Sequence, residues 1–496
     1  MKKMIRLPFP APRHLLPAGA VVLALSGCAS VGRYPVHDPA VAAQYGRGDA
    51  TLNAPADGPR SSLDTPGRDI RQDTWWTGFG DERLDRLVAQ ALAANSDLAA
   101  AGLAVQRSRL QAGLASNALW PQPSSSGVSG SASRATDQAD DWRRSYSTGV
   151  SLGWEVDLWN RLGSATDAAE LETLATAEDH AATRLALIGT VAELYWQLAY
   201  LNERLAASAA SIDYARQTLA LLQTQYDAGQ SSALELAEAR QSLETQLAAD
   251  VALRQEQVEQ RNALAVLYDG QPPVFNEPGR LLDAALPPVA ADLPASLLGR
   301  RPDLRGRELR LRASLKNVDA TRASYYPDLS LTGTLGYSSA ALGNLLQNPV
   351  GALGAGLTLP FLQWNQMQLQ VDTARTDYAI AVNDFRQGLY EALAEVENTL
   401  AGRRHYAEQE ANRQRALDAA REAERIYRVR YESGAESLQS WITAQQTRRN
   451  AEITLAENRL NQLLNHIALA QALGGSAEQP ADAEVLLSES RVASER

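Results

Sequence analysis

Residues 146–158 read Tyr146-Ser147-Thr148-Gly149-Val150-Ser151-Leu152-Gly153-Trp154-Glu155-Val156-Asp157-Leu158. Thr148 and the large apolar side chains occupy the even positions, and small or polar side chains occupy the odd ones. Successive side chains of a strand point to opposite faces. One face is therefore apolar and the other small and polar, and over about ten residues that is the pattern of a strand with lipid on one side and water on the other. Two later runs repeat it. Leu329, Leu331, Leu335 and Tyr337 oppose Ser330, Thr332, Thr334 and Ser338, and Leu353, Ala355, Leu357, Leu359 and Phe361 oppose Gly354, Gly356 and Thr358. Trp154, Trp159 and Trp364 near the ends of these runs suit an interfacial aromatic girdle. A fourth strand at 122–134, expected to pair with 146–158, alternates weakly and is inferred mainly from the internal repeat of the chain.

A sheet in lipid cannot leave its edges unpaired. Four strands are fewer than the roughly eight of the smallest membrane barrels, so several chains must share one; three would supply twelve strands. Gly149-Val150-Ser151-Leu152-Gly153 also matches the G-x-S-x-G nucleophile elbow, which needs a sharp turn from strand to helix. Here the alternation runs unbroken past Ser151, so a hydrolase is not indicated.

Outward from the strands, the chain repeats itself. Tyr226-Asp227-Ala228-Gly229, Trp159-Asn160 and Gly270 return 205 residues later as Tyr431-Glu432-Ser433-Gly434, Trp364-Asn365 and Gly475. Trp120-Pro121 and Tyr326-Pro327 lie one residue off that spacing. Solenoid repeats run about 20–50 residues, so this is a duplicated half-molecule.

Each half holds a long stretch of helical periodicity. No proline occurs in 163–227, where Leu174, Ala181, Leu185, Ile188, Ala192, Tyr195 and Leu198 keep the three/four spacing of a buried stripe. In 366–432 the counterparts are Val371, Ala374, Tyr378, Ala381, Phe385, Ala392 and Val396. Some 65 residues of helix span about 100 Å, a length suited to the stave of a tube. Each ends at a glycine, Gly229 or Gly434, as a left-handed cap requires. Ser232-Ala233-Leu234-Glu235 is a capping-box pattern opening a returning helix, and Ser437 is the corresponding cap. Shorter helices are expected at 82–117 and 302–323, the second opened by Pro302 and Asp303.

The composition agrees with thin helices. There are 5 Phe and 3 Met among 496 residues, and alanine, the best helix former, is abundant. The formal charge of -11 disfavours nucleic acid. Lys2, Lys3 and Lys316 are the only lysines and none follows a glycine, so no Walker A loop exists. The five histidines are scattered without metal-ligand spacing, and no enzyme, cofactor or metal site is expected.

Residues 1–27 read as a signal peptide. Lys2, Lys3 and Arg6 precede an apolar stretch, Leu15 to Leu25, too short for the roughly 20 residues of a spanning helix. Leu25-Ser26-Gly27-Cys28 looks like a lipobox, and Cys28 is the only cysteine. It would carry N-palmitoyl and S-diacylglycerol groups, enough acyl chains for stable anchoring. Ala29 and Ser30 follow where, in bacterial lipoproteins, an Asp tends to retain the protein at the inner membrane, so the outer membrane is implied.

These features resemble the outer-membrane factor family, the TolC-like channels of tripartite export systems, and within it the NodT-like lipoprotein branch. The residues that carry the resemblance are the lipobox, Trp75-Trp76-Thr77-Gly78-Phe79-Gly80-Asp81 and Gly153-Trp154-Glu155-Val156-Asp157-Leu158-Trp159-Asn160-Arg161. Arg300-Arg301-Pro302-Asp303-Leu304-Arg305 and Tyr326-Pro327-Asp328-Leu329-Ser330-Leu331-Thr332-Gly333 are the most specific. The likeness implies a mixed α and β trimeric tube, in which a twelve-stranded outer-membrane β-barrel joins a long periplasmic α-helical barrel. The homotrimer would be a passive exit duct for drugs or other toxic small molecules. An inner-membrane pump, proton-driven, supplies the energy, and a periplasmic adaptor docks at the hairpin tips, here Gly229, Ser231, Ser232, Gly434, Glu436 and Ser437.

In the family, acidic rings close the periplasmic end. Its second-repeat Asp and Arg positions read Thr443 and Gln446 here, and the first-repeat counterparts are Glu238 and Gln241, which makes Glu238 the candidate acidic constriction. A type I protein-secretion duct, or a poreless periplasmic coiled-coil lipoprotein, are the competing readings.

The expected layout is a signal peptide (1–27), a lipidated N-terminal segment (28–80) and a first repeat (81–270) holding a helix, a strand pair (122–158) and a helical hairpin (163–268). A Pro-rich linker (271–297) leads to a second repeat (298–475) with a helix, a strand pair (328–361) and a hairpin (366–473), followed by a mobile tail (476–496).

Overall fold

A computed structural model describes residues 74–134, 142–271, 273–282, 286 and 297–475. All of them belong to one compact unit. The signal peptide, Cys28, the C-terminal tail and much of the expected linker lie outside the described residues.

The first elements are a 3-10 turn at Trp75–Phe79, then helices α1 (Glu82–Ala94) and α2 (Ser96–Asn117). A single helix was expected over 82–117. The structure breaks it at Asn95, with a bend of 47°. Asn95 is extended there, its Oδ1 accepts from the Leu98 amide at 2.9 Å, and its Nδ2 donates to the Leu267 carbonyl at 3.1 Å. An asparagine that caps the next helix and satisfies a distant carbonyl is worth more here as a stop than as a helical residue.

Four strands follow in two pairs: β1 (Gln122–Ser133) and β2 (Arg143–Val156), then β3 (Asp328–Ser339) and β4 (Pro349–Thr358). They form one antiparallel sheet in the order β1-β2-β3-β4. The seam between the two halves is β2 against β3, running from Tyr146 opposite Ser339 to Val156 opposite Leu329. Gly149 faces Gly336 across it, and a Cβ at Gly149 would sit 2.8 Å from the Leu335 carbonyl oxygen. Paired glycines let the two backbones meet there.

A bulge between Pro123 and Ser125 gives β1 one residue more than its partner needs. This accounts for Trp120-Pro121 lying one residue off the 205 spacing. Beyond the bulge, Gly130 opposite Tyr146 matches Leu335 opposite Gly351 at that spacing.

Two strand ends fall short of the expected ones. β2 stops at Val156 because Asp157 turns to cap the next helix, its carboxylate accepting from the Arg161 amide at 2.6 Å and the Gly163 amide at 2.8 Å. β4 stops at Thr358, and Phe361 lies in a 3-10 turn opened by Pro360, which has no N–H to give a ladder.

The long helices are unbroken. α3 runs Arg161–Asp227 for 67 residues and α4 returns over Ala233–Val266. After a single turn at Leu297–Arg300 comes α5, Pro302–Ala323, with Pro302 at its first position. α6 runs Trp364–Glu432 for 69 residues and α7 returns over Leu438–Ala472. Of the expected stripes, Ile188, Ala192, Tyr195 and Leu198 on α3 and Val371, Tyr378, Ala392 and Val396 on α6 are buried. Leu174, Ala181, Leu185, Ala374, Ala381 and Phe385 are half-buried.

The largest core knots α1, α3, α4 and α7 together around Tyr195, Trp196, Leu264 and Ile467. Trp76 and Phe79 of the N-terminal motif enter it, with the Phe79 ring 5.5 Å from Trp196 and 5.2 Å from His466. Where α3 passes α5 the joint is ionic. Buried Glu178 meets Arg305 at 2.6 Å, Asp167 meets Lys316 at 2.7 Å, and Asp179 pairs with Arg310. Arg301 holds Asp303 at 2.9 Å and Glu395 at 2.6 Å, and donates to the Ala472 carbonyl at 3.3 Å. The Arg-Arg-Pro-Asp run thus fastens the start of α5 to α6 and to the end of α7. Burial tends to raise the Asp303 carboxyl, but Arg301 outweighs it and holds that group below its usual range.

Candidate functional site

The two hairpin ends are built alike. Gly229 and Gly434 take φ of +72° and +75°, which glycine adopts without strain. Behind each, the chain closes back on its helix: Gln230 N–H donates to the Gln225 carbonyl at 2.7 Å, and Ala435 N–H to the Arg430 carbonyl at 2.8 Å. The orphan carbonyls of the helix end are satisfied that way.

The returning helices are capped with the same parts exchanged. At the first tip the Ser232 Oγ accepts from the Glu235 amide at 3.2 Å, while the Ser232 N–H and Ser231 Oγ both donate to the Glu235 carboxylate at 2.8 Å. The Ser232 backbone bond, with help from Ser231, holds the Glu235 carboxyl below its usual range. At the second tip Ser437 caps the Ser440 amide at 3.2 Å, and the carboxylate comes from Glu436, which accepts from the Ser440 Oγ at 3.0 Å. Serine and glutamate have swapped ends of one i,i+4 contact. Glu436 also meets Arg430 at 3.4 Å. Gly229, Ser232, Gly434 and Ser437 are exposed, and Ser231 and Glu436 are half-buried.

Immediately behind the tips the two hairpins share a core of Leu222, Leu236, Ala239, Leu438 and Trp441. Trp441 is its centre. It stacks on Tyr431 of its own hairpin at 5.2 Å and meets Tyr214 of the other edge-on at 6.2 Å. Sequence reading passed over this residue, because the repeat aligns it with Leu236 as one more apolar position. A lone tryptophan one turn past a helix cap was the available signal.

The four candidate gate positions lie beside this core, at matching heights on the two returning helices. Glu238 is half-buried on α4 and makes no hydrogen bond or ion pair among the described residues. Gln241 and Thr443 are exposed, and the Thr443 hydroxyl donates back to the Gln439 carbonyl at 2.8 Å. Gln446 is exposed and accepts from Arg449 at 2.9 Å. Further along, Arg448 is held between Glu424 at 3.0 Å and Glu452 at 2.9 Å.

At the other end the sheet presents its apolar face unpartnered. Val150, Leu152, Trp154, Leu335, Leu353 and Leu357 are all exposed within the chain, as the alternation requires of a lipid-facing surface. Trp154 donates its indole N–H to the Leu119 carbonyl at 3.0 Å, and Trp364 is exposed. Trp159 is half-buried; its N–H donates to the Pro327 carbonyl at 2.8 Å and its ring meets Tyr326 at 5.2 Å, so it ties the two halves together beneath the sheet. Among the described residues no single helix is long and apolar enough to cross a membrane.

The family model for outer membrane efflux proteins matches the chain twice, over residues 87–269 and 293–475. These stretches are the two halves of the duplication. The toluene efflux pump outer membrane protein TtgF of Pseudomonas putida is 30% identical over 92% of this chain and 95% of its own length. The pyoverdine export outer membrane protein OpmQ of Pseudomonas aeruginosa is 30% identical over 82% of this chain and 88% of its own. Among solved structures, the Campylobacter jejuni CmeC outer membrane channel superposes with a TM-score of 0.76 at 25% identity, covering 84% of this chain and 90% of that one.

Proposed function

The chain belongs to the outer membrane efflux protein family, is an outer-membrane efflux channel, and from that premise we propose that it works as the homotrimeric exit duct of a tripartite pump. The observation that carries this reading is the open sheet. Its order β1-β2-β3-β4 leaves β1 and β4 as free edges, while one face is apolar and exposed. Lipid cannot satisfy unpaired strand edges, so the sheet must be completed by other copies, and three copies of four strands make a barrel within the known size range.

The duct is passive. A proton-driven inner-membrane pump supplies the energy, and a periplasmic adaptor engages the hairpin tips at Gly229, Ser231, Ser232, Gly434, Glu436 and Ser437. Glu238, with no hydrogen bond or ion pair among the described residues, faces its copies as the acidic constriction, with Gln241, Thr443 and Gln446 beside it. Acyl groups on Cys28 anchor the N-terminus in the outer membrane. The toluene and pyoverdine exporters among the relatives support a small-molecule cargo.

Ion conductance of the purified protein in a planar bilayer tests the duct. No conductance under any gating condition would refute it. Glu238→Ala is expected to raise the closed-state conductance, and an unchanged value would return Glu238 to an ordinary solvated surface.

A further inference from the structure

Between the two helical hairpins, away from the tips, lies a cleft of about 430 Å³ to which α3, α4, α6 and α7 all contribute. Its floor is apolar, formed by buried Leu253, Leu417 and Leu455 with Ile453 beside them. Its walls are rich in arginine. Two of these are neutralised internally, Arg421 by Glu452 at 3.3 Å and Arg459 by Glu410 at 3.0 Å. Glu203, also on the wall, accepts the Leu281 amide at 3.0 Å.

Two cations remain without a paired carboxylate among the described residues. Arg204 lies over the Tyr200 ring at 5.5 Å, and Arg449 donates at 2.9 Å to the neutral Gln446. Glu424 and Glu452 act on Arg449 only from a distance, since both are engaged by Arg448. Arg449 is half-buried, and burial, reinforced by the neighbouring Arg448, pulls its guanidinium below the usual arginine range. A partly desolvated cation with no counter-ion of its own is costly to keep. A third group points the same way. The Gln246 Oε1, on the same wall, is buried and accepts no hydrogen bond.

We propose that this cleft binds an organic anion, with a ring-sized apolar body on the leucine floor, a sulfonate or carboxylate at Arg449 and Arg204, and a hydroxyl or amide N–H donating to Gln246. The volume admits a fused two-ring acid, well within the range of small-molecule pockets. An occupant would touch both hairpins and so couple them. The site stands on cavity, charge and an orphan acceptor, and does not depend on whether the chain conducts.

The test uses the intact assembly in lipid nanodiscs and follows probe fluorescence anisotropy. The probe is 6-hydroxynaphthalene-2-sulfonate, and 2-naphthol serves as its neutral counterpart. Saturable binding of one sulfonate per chain is expected, weakened about tenfold or more by Arg449→Gln, the scale of losing one charge-assisted hydrogen bond. Arg449→Lys should retain most of the affinity, and 2-naphthol should not distinguish the variants. In the wild type alone, raising the salt should weaken the sulfonate and leave the naphthol unchanged. Equal sulfonate affinity in wild type and Arg449→Gln, no saturable site, or salt-insensitive sulfonate binding would each overturn the proposal.

Discussion

Replacing Trp441 with alanine should unlock the periplasmic ends of the two hairpins. The side chain is 6% exposed, stacked on Tyr431 and edge-on to Tyr214, and packed among Leu222, Leu236, Ala239 and Leu438. Truncating a buried tryptophan to alanine costs about 3–5 kcal/mol. About 0.5–1.5 kcal/mol of that resides in each aromatic pair. Leu222, Leu236, Ala239 and Tyr214 belong to the first hairpin, so much of the loss falls on contacts that cross between the two. A loss of about 3–4 kcal/mol in local opening energy raises amide exchange some hundredfold or more. The increase should be confined to the stretches around residues 219–240 and 427–446, with Tyr195 and its surroundings unaffected. Trp441→Phe should be far milder. It loses ring volume, but it also removes an indole N–H that is buried without an acceptor, and such a group costs about 1–3 kcal/mol. Hydrogen exchange followed by mass spectrometry reads the local opening, and bilayer conductance reads its consequence. If Trp441→Ala leaves both tip exchange and conductance at the wild-type level, the shared core does not hold the hairpins together and the reasoning fails.

Three further outcomes are expected. Burial, with Arg403 adding to it, pushes the His466 imidazole down to about 4, below its unfolded value near 6.5. The unfolded chain therefore binds the extra proton first, and stability should fall as pH drops from about 6.5 to 4, by up to about 3 kcal/mol per chain; His466→Gln should flatten that slope in denaturation titrations, and an unchanged slope would exclude His466 as the cause. Arg305→Leu leaves the buried Glu178 carboxylate without its partner and should cost about 3–5 kcal/mol, largely recovered when Glu178→Leu is added, as measured by a double-mutant denaturation cycle. Cysteines replacing Val128 and Leu357 should crosslink neighbouring chains into a ladder on denaturing gels, whereas a pair shifted by one residue should not.

The strands were legible because a two-residue period with lipid on one side leaves few alternatives, and 146–156 is a strand as that period predicts. Their ends were not. Asp157 leaves the ladder to cap α3, and no alternation records that choice. The long helices were legible from missing prolines and from two glycines at matching places. The break at Asn95 was overlooked although Asn95-Ser96-Asp97 is an ordinary helix opening, because what fixes it is the Leu267 carbonyl, far away in sequence. The same holds for Glu178. On α3 it reads as a solvated acid, and only Arg305 on α5 makes it a buried ion pair. The hairpin ends were legible as caps, while their shared aromatic core was not, since Trp441 and Tyr214 meet only after both hairpins have formed.

The crosslink follows from treating the duplication as a rule for assembly. Within one chain, β2 of the first half pairs with β3 of the second, and Leu152 lies opposite Gly333. Past the β1 bulge, the hairpin β1–β2 corresponds to β3–β4 at a constant spacing of 205, so β2 is to β3 what β4 is to the β1 of a neighbour. Carried across, the pair Leu152–Gly333 becomes Leu357–Val128. Both of these side chains are exposed in the single chain, and both fall on its apolar face. A head-to-tail contact of this kind closes into a ring when the rotation it repeats divides a full turn. The contact inside each chain already provides one such step, so the contact between chains need only copy it. A free edge that would otherwise invite unlimited pairing is then consumed by a partner of matched register. This explains why both halves keep their strand pair while diverging at the tips. In the proposed trimer, closure demands six similar steps at the sheet, and nothing demands that Glu238 and Thr443 be alike.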